Sequence, residues 1–307
     1  MSNARKIAEF ASTLGRKNLL INGSMRVWQR GSSGSLPLNE WTYTADRWVS
    51  DCYGAALSWA QGSTPTNSNN TAGSLVISGA ASNTGFSVHQ RIEAANSFFT
   101  YGKKLTVSGQ LYKSGTASAI DLFLHRPTAK DNFGTTVAIG NKGTINHPGG
   151  GAWIEFSHTF DTACPIEVAN GLALIISHTS LGSGVDVGFT NVQLEIGEEA
   201  TEFEWCPYSD EVVQCQRYYE VGSEPLFYSD GIPTGGTAAY GSMVFKVVKR
   251  ATPEVAGSGW SYYSSGTGTS FTPTFGGSQT MLTWTASGLT NWRGWAGTGS
   301  WTAKAEL

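Results

Sequence analysis

The densest group of residues able to do chemistry lies near the end of the chain. There Trp260, Tyr262, Tyr263, Trp284, Trp292, Trp295 and Trp301 crowd into a Gly-rich stretch. A sugar ring presents a C–H face that stacks on an exposed aromatic ring, and Asn, Asp, Gln or Arg at the rim takes its hydroxyls. Asn291-Trp292-Arg293-Gly294-Trp295 supplies both parts, and loop segments of this composition run on the surface. Trp260, Tyr262, Trp292, Arg293 and Trp295 are therefore the candidate ligand-binding residues. The same rings would equally fill a small sandwich core or a subunit interface, where Trp and Tyr are also enriched. Trp28, Trp41, Trp48 and Trp59 are read as structural. Arg30, Asp46 and Arg47 offer a partly buried ion pair, or else unrelated surface charges.

Catalytic patterns do not emerge. No Gly-x-Ser-x-Gly turn occurs, nor a Gly-x-x-x-x-Gly-Lys-Ser/Thr phosphate loop. His89, His125, His147, His158 and His178 are scattered singly, none at a metal-binding spacing, and read as ordinary surface or strand histidines. Glycosidase chemistry needs two carboxylates across a cleft. Glu155, Asp161, Asp186, Glu195, Glu198 and Glu199 are available, but nothing in their spacing pairs them, and Glu198-Glu199 reads as a solvated turn. The expectation is a protein that is not an enzyme, with no catalytic residue, no metal and no cofactor. Cys52, Cys164, Cys206 and Cys215 show no Cys-x-x-Cys spacing; free thiols are favoured over disulfides in a protein made in a reducing cytosol.

The elements that must position these residues are strands. Of 307 residues only 14% are charged, against about 25% in an average protein, while 38 are Gly and 40% are hydrophobic. That composition argues against coiled coils, helical bundles and disorder. A net charge of −3 without a Lys/Arg cluster leaves no footprint for nucleic acid. The longest apolar run, Leu172 to Ile176, is five residues, far from the ~20 of a membrane span. Period-two patterns over 19–28, 105–111, 120–124, 153–160, 172–177 and 185–195 read as strands. Gly/Ser/Asn/Thr stretches such as 62–73 and 140–151 separate them. With no crossover helices between strands, the fold class is all-β: two antiparallel β-sandwich, jelly-roll-like domains.

Residues 1–17 stand apart, with Ala4, Ile7, Ala8, Phe10, Ala11 and Leu14 at helical spacing before Gly15. This short N-terminal helical segment needs a surface to dock on. A second helix is expected after Pro207, with Ser209 as N-cap and Asp210 and Glu211 in its first turn. It marks a hinge, giving domains 1–17, 18–208 and 209–307. The last contains one clear strand pair, 242–249 with 279–286.

Several strings resemble known families. Asn18-Leu19-Leu20-Ile21-Asn22-Gly23 and Asn191-Val192-Gln193-Leu194-Glu195-Ile196-Gly197 look like the opening and closing strands of jelly-roll carbohydrate-binding modules. Calcium-bearing modules of that type place an Asp before the last-strand Val; here Thr190-Asn191 precedes Val192, so no calcium is expected. Met25-Arg26-Val27-Trp28-Gln29-Arg30-Gly31, Tyr43-Thr44-Ala45-Asp46-Arg47-Trp48, Ala200-Thr201-Glu202-Phe203-Glu204, Cys215-Gln216-Arg217-Tyr218-Tyr219, Arg250-Ala251-Thr252-Pro253-Glu254-Val255 and Trp301 to Leu307 together resemble tailed-bacteriophage tail fibre and appendage proteins. The resemblance implies a structural virion protein (tail fibre, spike or collar/head appendage) involved in recognising host surface polysaccharide. It also implies a homotrimer, held to other virion proteins through residues 1–17, assembled in the host cytoplasm and located in the virion. A stand-alone carbohydrate-binding module and a polysaccharide depolymerase are the alternatives.

Overall fold

The structure is a computed structural model and describes residues 16–63, 73–223, 238–258, 261–264, 267–270, 273–287 and 299–307. The helical segment expected over 1–17 lies outside these residues except for Arg16 and Lys17. The chain divides into two compact units, Met1–Tyr208 with Leu307, and Ser209–Glu306.

In the first unit thirteen strands follow in order: β1 (Ser33–Leu36), β2 (Thr42–Tyr43), β3 (Trp48–Tyr53), β4 (Leu57–Gly62), β5 (Ser74–Ser78), β6 (Gly85–Ile92), β7 (Leu105–Lys113), β8 (Ser118–Ala129), β9 (Asn132–Ala138), β10 (Gly143–His147), β11 (Ala152–Thr159), β12 (Leu172–His178) and β13 (Asp186–Ile196). They form two antiparallel sheets, β1-β4-β5-β13-β7-β11 and β10-β8-β12-β6-β3-β2, with β9 also pairing β8. Alternation builds the core between them. Ile120, Leu122 and Leu124 of β8 and Leu172, Leu174 and Ile176 of β12 are buried, and Leu75, Ile77, Val107, Leu111, Val187 and Phe189 line the other sheet. Each such side chain contributes about 1.5–3 kcal/mol. This is the antiparallel sandwich expected from the strand pattern.

The strand expected over 19–28 does not form. Asn18 and Asn22 explain why, because their side chains take over hydrogen bonds that a ladder would otherwise make. Asn18 Oδ1 accepts from the N–H groups of Leu20 and Leu194, and its Nδ2 donates to the Val192 carbonyl at 3.2 Å. Asn22, fully buried at φ 58°, accepts from the N–H groups of Arg26 and Val27 and donates to the carbonyls of Val27 and Asp46. The Nε1–H of Trp48 donates to the Asn22 carbonyl at 2.9 Å. Gly23 follows because a Cβ there would lie 2.2 Å from the Val192 carbonyl oxygen. The segment is thus stitched to β13 where that strand's register shifts, between Thr190 and Gln193. Asp46 pairs with Arg30 at 3.7 Å, and Arg47 donates to the Arg91 carbonyl. A strand also appears inside the expected 140–151 loop: in β10, Gly143, Ile145 and His147 are buried and the two residues between them exposed.

The helix spans Tyr208–Gln216, so Ser209 sits inside its first turn instead of capping it, and its hydroxyl contacts Asp210. The second unit then holds β14 (Tyr219–Gly222), β15 (Ala238–Val244), β16 (Glu254–Ser258), β17 (Ser261–Ser264), β18 (Thr267–Ser270), β19 (Thr274–Gly277), β20 (Met281–Ser287) and β21 (Ser300–Lys304). These form sheets β14-β21-β16 and β15-β20-β19 and the hairpin β17-β18. Trp301 and Trp284, each 2% exposed, fill this core. Each lies opposite a glycine, Gly222 and Gly241, where a Cβ would come within 2.5 Å of the indole. The strand expected over 242–249 stops at Val244, since Lys249 instead turns into the interior. There it pairs with Glu220, donates to the Gln216 carbonyl at 2.6 Å and lies 4.8 Å from the Phe245 ring. Burial lowers the Lys249 pKa, and the Glu220 carboxylate opposes that shift. None of the four cysteines is in a disulfide.

Asn22→Ala removes the side-chain partner of the Arg26 and Val27 N–H groups and of the Asp46 carbonyl, while the Val27 carbonyl keeps the Asp46 N–H, at about 1–3 kcal/mol for each group that loses its partner. It is expected to destabilise the first unit by at least about 3 kcal/mol, read as a lower urea midpoint at unchanged slope. A loss below about 1 kcal/mol would show that the asparagine seam does not hold the sandwich closed.

Candidate functional site

The sheet carrying β6 has one face in the core and the other open. Phe86, Val88 and Ile92 point inward, so Ser87, His89 and Arg91 must point out. The register extends this alternation across neighbouring strands into three rows. Arg91 pairs with Ala173, which pairs with His125; His89 with Ile175 and then Phe123; Asp51 with Ser87 and then Ser177. Above them is an open cleft of about 590 Å³, walled by Trp41 and Phe133. Trp41 is 51% exposed; its ring meets the His89 imidazole edge-on at 4.7 Å. The Arg91 guanidinium lies 4.8 Å from the Trp41 ring and 5.7 Å from Phe133.

Hydrogen bonds fix the polar groups. Tyr53 Oη donates to Asp51 Oδ2 at 2.6 Å, and Ser87 Oγ donates to Asp51 Oδ1. The Ser87 oxygen is then left to accept from His89 Nε2–H, at 2.6 Å. His178 Nδ1 accepts from the Ser180 N–H, which assigns the proton to Nε2 and makes it the donor to Ser118 Oγ at 2.8 Å. His125 Nδ1 meets Thr136 Oγ1 at 2.9 Å. Burial, then the Arg91 and His125 charges, push the His89 pKa down to about 3. Burial also lowers His125 and His178. The hydrogen bond to Asp51, then burial, raise Tyr53 to about 12. At neutral pH the imidazoles and the phenol are uncharged, so the ring nitrogens and phenol oxygen not already engaged can exchange hydrogen bonds with hydroxyl groups.

Serine, histidine and aspartate meet here, but in an order that does not make a nucleophile. The carboxylate orients the serine by accepting its O–H, whereas a relay needs the carboxylate on the imidazole. Among the described residues no three His, Cys, Asp or Glu group to hold a metal, and no helix is long and apolar enough to cross a membrane. A second recess of about 490 Å³ lies on the other sheet, between Gln110, Glu155 and the 200–203 segment.

Trp260, Trp292, Arg293 and Trp295 lie outside the described residues; Tyr262 is on β17, paired across to Thr269. Trp41, read as structural, instead stands exposed at the cleft. Three histidines read as ordinary, His89, His125 and His178, line it together. The available signal was Ser87-Val88-His89-Gln90-Arg91, where every second residue is polar and functional in type.

The His89 shift has a stability consequence. Between pH 6.5 and about 3 the unfolded chain binds a proton that the folded chain does not. Stability is therefore complete above pH 6.5 and falls as pH drops through that window. At pH 5, His89 alone is expected to cost about 2 kcal/mol. Urea unfolding followed by amide exchange in β6 and β12 should show His89→Gln losing less stability from pH 7 to pH 5 than the parent; equal losses would refute the assignment.

No protein-family model matches the chain, and no curated protein does. Among solved structures it is similar to the enzymatically active domain of bacteriophage CBA120 tailspike protein 4, at 15% identity and a TM-score of 0.40, covering 59% of this chain and 21% of that one. It is also similar to a CBM4 structure, at 14% identity and a TM-score of 0.36, covering 57% and 98%. A third is a putative sugar binding protein from Bacteroides thetaiotaomicron, at 10% identity and a TM-score of 0.39, covering 59% and 100%.

Proposed function

We propose that this chain binds glycans in the cleft above β3, β6, β12 and β8, and that it does so as a structural bacteriophage virion protein recognising host surface polysaccharide. One observation carries the binding role. A half-exposed tryptophan stands over rows of hydrogen-bonding side chains, among them neutral imidazoles, in a groove whose size falls within the ~300–1,000 Å³ of ligand sites. Trp41 offers the stacking face; His89, His125 and Ser177 offer hydroxyl partners. The Asp51–Ser87–His89 order, with the carboxylate on the serine and not on the imidazole, supports a reading of binding without bond cleavage. The virion role rests on the fibre-like strings of the sequence, and with it go a homotrimer and attachment through residues 1–17.

A second reading, a stand-alone carbohydrate-binding module, is favoured by the cleft's being complete within the first unit. Solution mass separates the two: a trimer supports the appendage, and a stable monomer the free module. Removing residues 1–17 should abolish incorporation into particles while leaving a folded body; normal incorporation would overturn the attachment role. In affinity electrophoresis against host polysaccharide, Trp41→Ala should weaken retention about tenfold, the loss of one stacking contact. If Trp292→Ala weakens it and Trp41→Ala does not, the ligand sits on the C-terminal aromatic group and the cleft assignment fails.

A further inference from the structure

We infer that the first unit carries a second glycan site on the opposite sheet, where Tyr112 and Trp153 stack neutral sugar residues and Gln110 and Glu155 take their hydroxyls. Strand alternation places these side chains. Leu111 of β7 and Phe156 of β11 are buried in the core, so Gln110 and Tyr112, like Trp153 and Glu155, point away from it. Register then sets them in two rows. Tyr112 pairs with Trp153 on one side and Gly188 of β13 on the other; two residues along, Gln110 pairs with Glu155 and Thr190. The rows are about 6.6 Å apart along the strands. No residue is shared with the cleft on the other sheet.

The first row is a platform of rings. The Tyr112 and Trp153 centroids lie 5.4 Å apart with 45° between their planes, and both side chains are partly exposed. A glycine makes room for them. A Cβ on Gly188 would lie 3.3 Å from the Trp153 ring and 3.3 Å from Tyr112 Cβ, so a larger residue would push the indole off the sheet. Beyond Gly188 the row continues through Val76 and Ala60, which leaves the rings standing above their neighbours on that side. Sugar C–H faces stack on rings presented in this way.

The second row supplies the polar partners. It lines the recess of about 490 Å³ whose far wall is the 200–203 segment. Asn191 Nδ2 donates to Gln110 Oε1 at 3.0 Å, which fixes the Gln110 amide and leaves its Nε2 as a donor. Glu155 is exposed, and among the described residues no cation or donor engages its carboxylate. A donor beside an acceptor is what two adjacent sugar hydroxyls require, and the charge on the acceptor strengthens its bond. The same carboxylate repels a uronate or a sulfated sugar, so the class selected is neutral. It also argues against a subunit interface, since interface centres are depleted of charged residues.

The experiment is affinity electrophoresis of the full chain in gels containing mixed-linkage β-glucan, galactomannan or dextran, with polygalacturonate as the acidic polymer. Trp41→Ala weakens the cleft, so the retardation that remains reports the second face. At least one neutral polymer is expected to go on retarding that variant, and polygalacturonate to retard it less. Adding Trp153→Ala should weaken what remains about tenfold, the loss of one stacking contact. Glu155→Gln, an exposed change that leaves the rings in place, should weaken it severalfold, and it keeps the test decisive if the tryptophan variant folds poorly. If Trp41→Ala ends retardation by every neutral polymer, or if neither Trp153→Ala nor Glu155→Gln alters the remainder, the second face is overturned. If Trp153→Ala ends retardation and Trp41→Ala changes nothing, the second face stands and the cleft reading falls. Equal retardation of the Trp41→Ala protein by polygalacturonate and the neutral polymers overturns the neutral class. If no polymer retards the parent protein, both sites fall.

Discussion

The two-residue repeat of β6 is the constraint on which the structure depends. A strand offers its side chains alternately to two faces, and the core claims one of them. With Phe86, Val88 and Ile92 committed to the interior, Ser87, His89 and Arg91 have no choice of direction. Hydrogen-bonded neighbours inherit the same phase, which places Asp51, Ala173, Ser177, Phe123 and His125 on the open face. The cleft is thus the outer surface of the same pairing that makes the core. A one-residue slip of β6 against β12 would bury Arg91 and expose Val88, losing core and cleft together. Register and ligand chemistry are one property.

The second constraint is closure at the sandwich edge. A strand over 19–28 would have needed a partner for each of its backbone groups. Two buried asparagines provide these from side chains, and the Gln90 amide adds a reciprocal pair with the Ile21 N–H and carbonyl. Gln90 is the inward polar residue of β6, so the strand that aims the cleft also anchors the irregular opening segment. Trp48, next to β6 in β3, joins the same seam through the Asn22 carbonyl. The lower end is closed by Gln193, Glu195 and Thr201, where the Glu195 carboxylate accepts from both the Thr201 N–H and its hydroxyl.

Strands with a clean apolar alternation were legible in the sequence: β7, β8, β11, β12 and β13 fall within a few residues of the expected ranges. Those that line the cleft were not. Gly85-Phe86-Ser87-Val88-His89-Gln90-Arg91-Ile92 carries polar groups on its open face and a polar anchor, Gln90, on its buried one, which dilutes the signal that marked the others. The Asn22-Gly23 pair was seen as a break, but the local pattern could not show that side chains from elsewhere would replace the ladder. Trp41 was misjudged for a related reason. Trp41 directly precedes β2, and only the pairing of β2 with β3 and of β3 with β6 brings it over His89 and Arg91. In the second unit the buried Lys249 was hidden because its partner, Glu220, is 29 residues away.

The cleft's polar groups are also held in place before any ligand arrives. His89 is tied to Ser87, Ser87 to Asp51, Asp51 to Tyr53, His178 to Ser118 and the Ser180 backbone, and Arg91 to two rings. Each tie removes rotamer freedom that a ligand would otherwise have to remove, at about 0.5–1.5 kcal/mol per side chain. Polar sugars bind in competition with water at every hydroxyl, so net gains per hydrogen bond are small. A site for them gains more from groups already oriented than from additional groups. The same network has a liability, because orientation by burial is what depresses the imidazoles. A cleft built this way is rigid, keeps its imidazoles uncharged at neutral pH, and gives up stability in acid as a consequence of the packing that orients its polar groups.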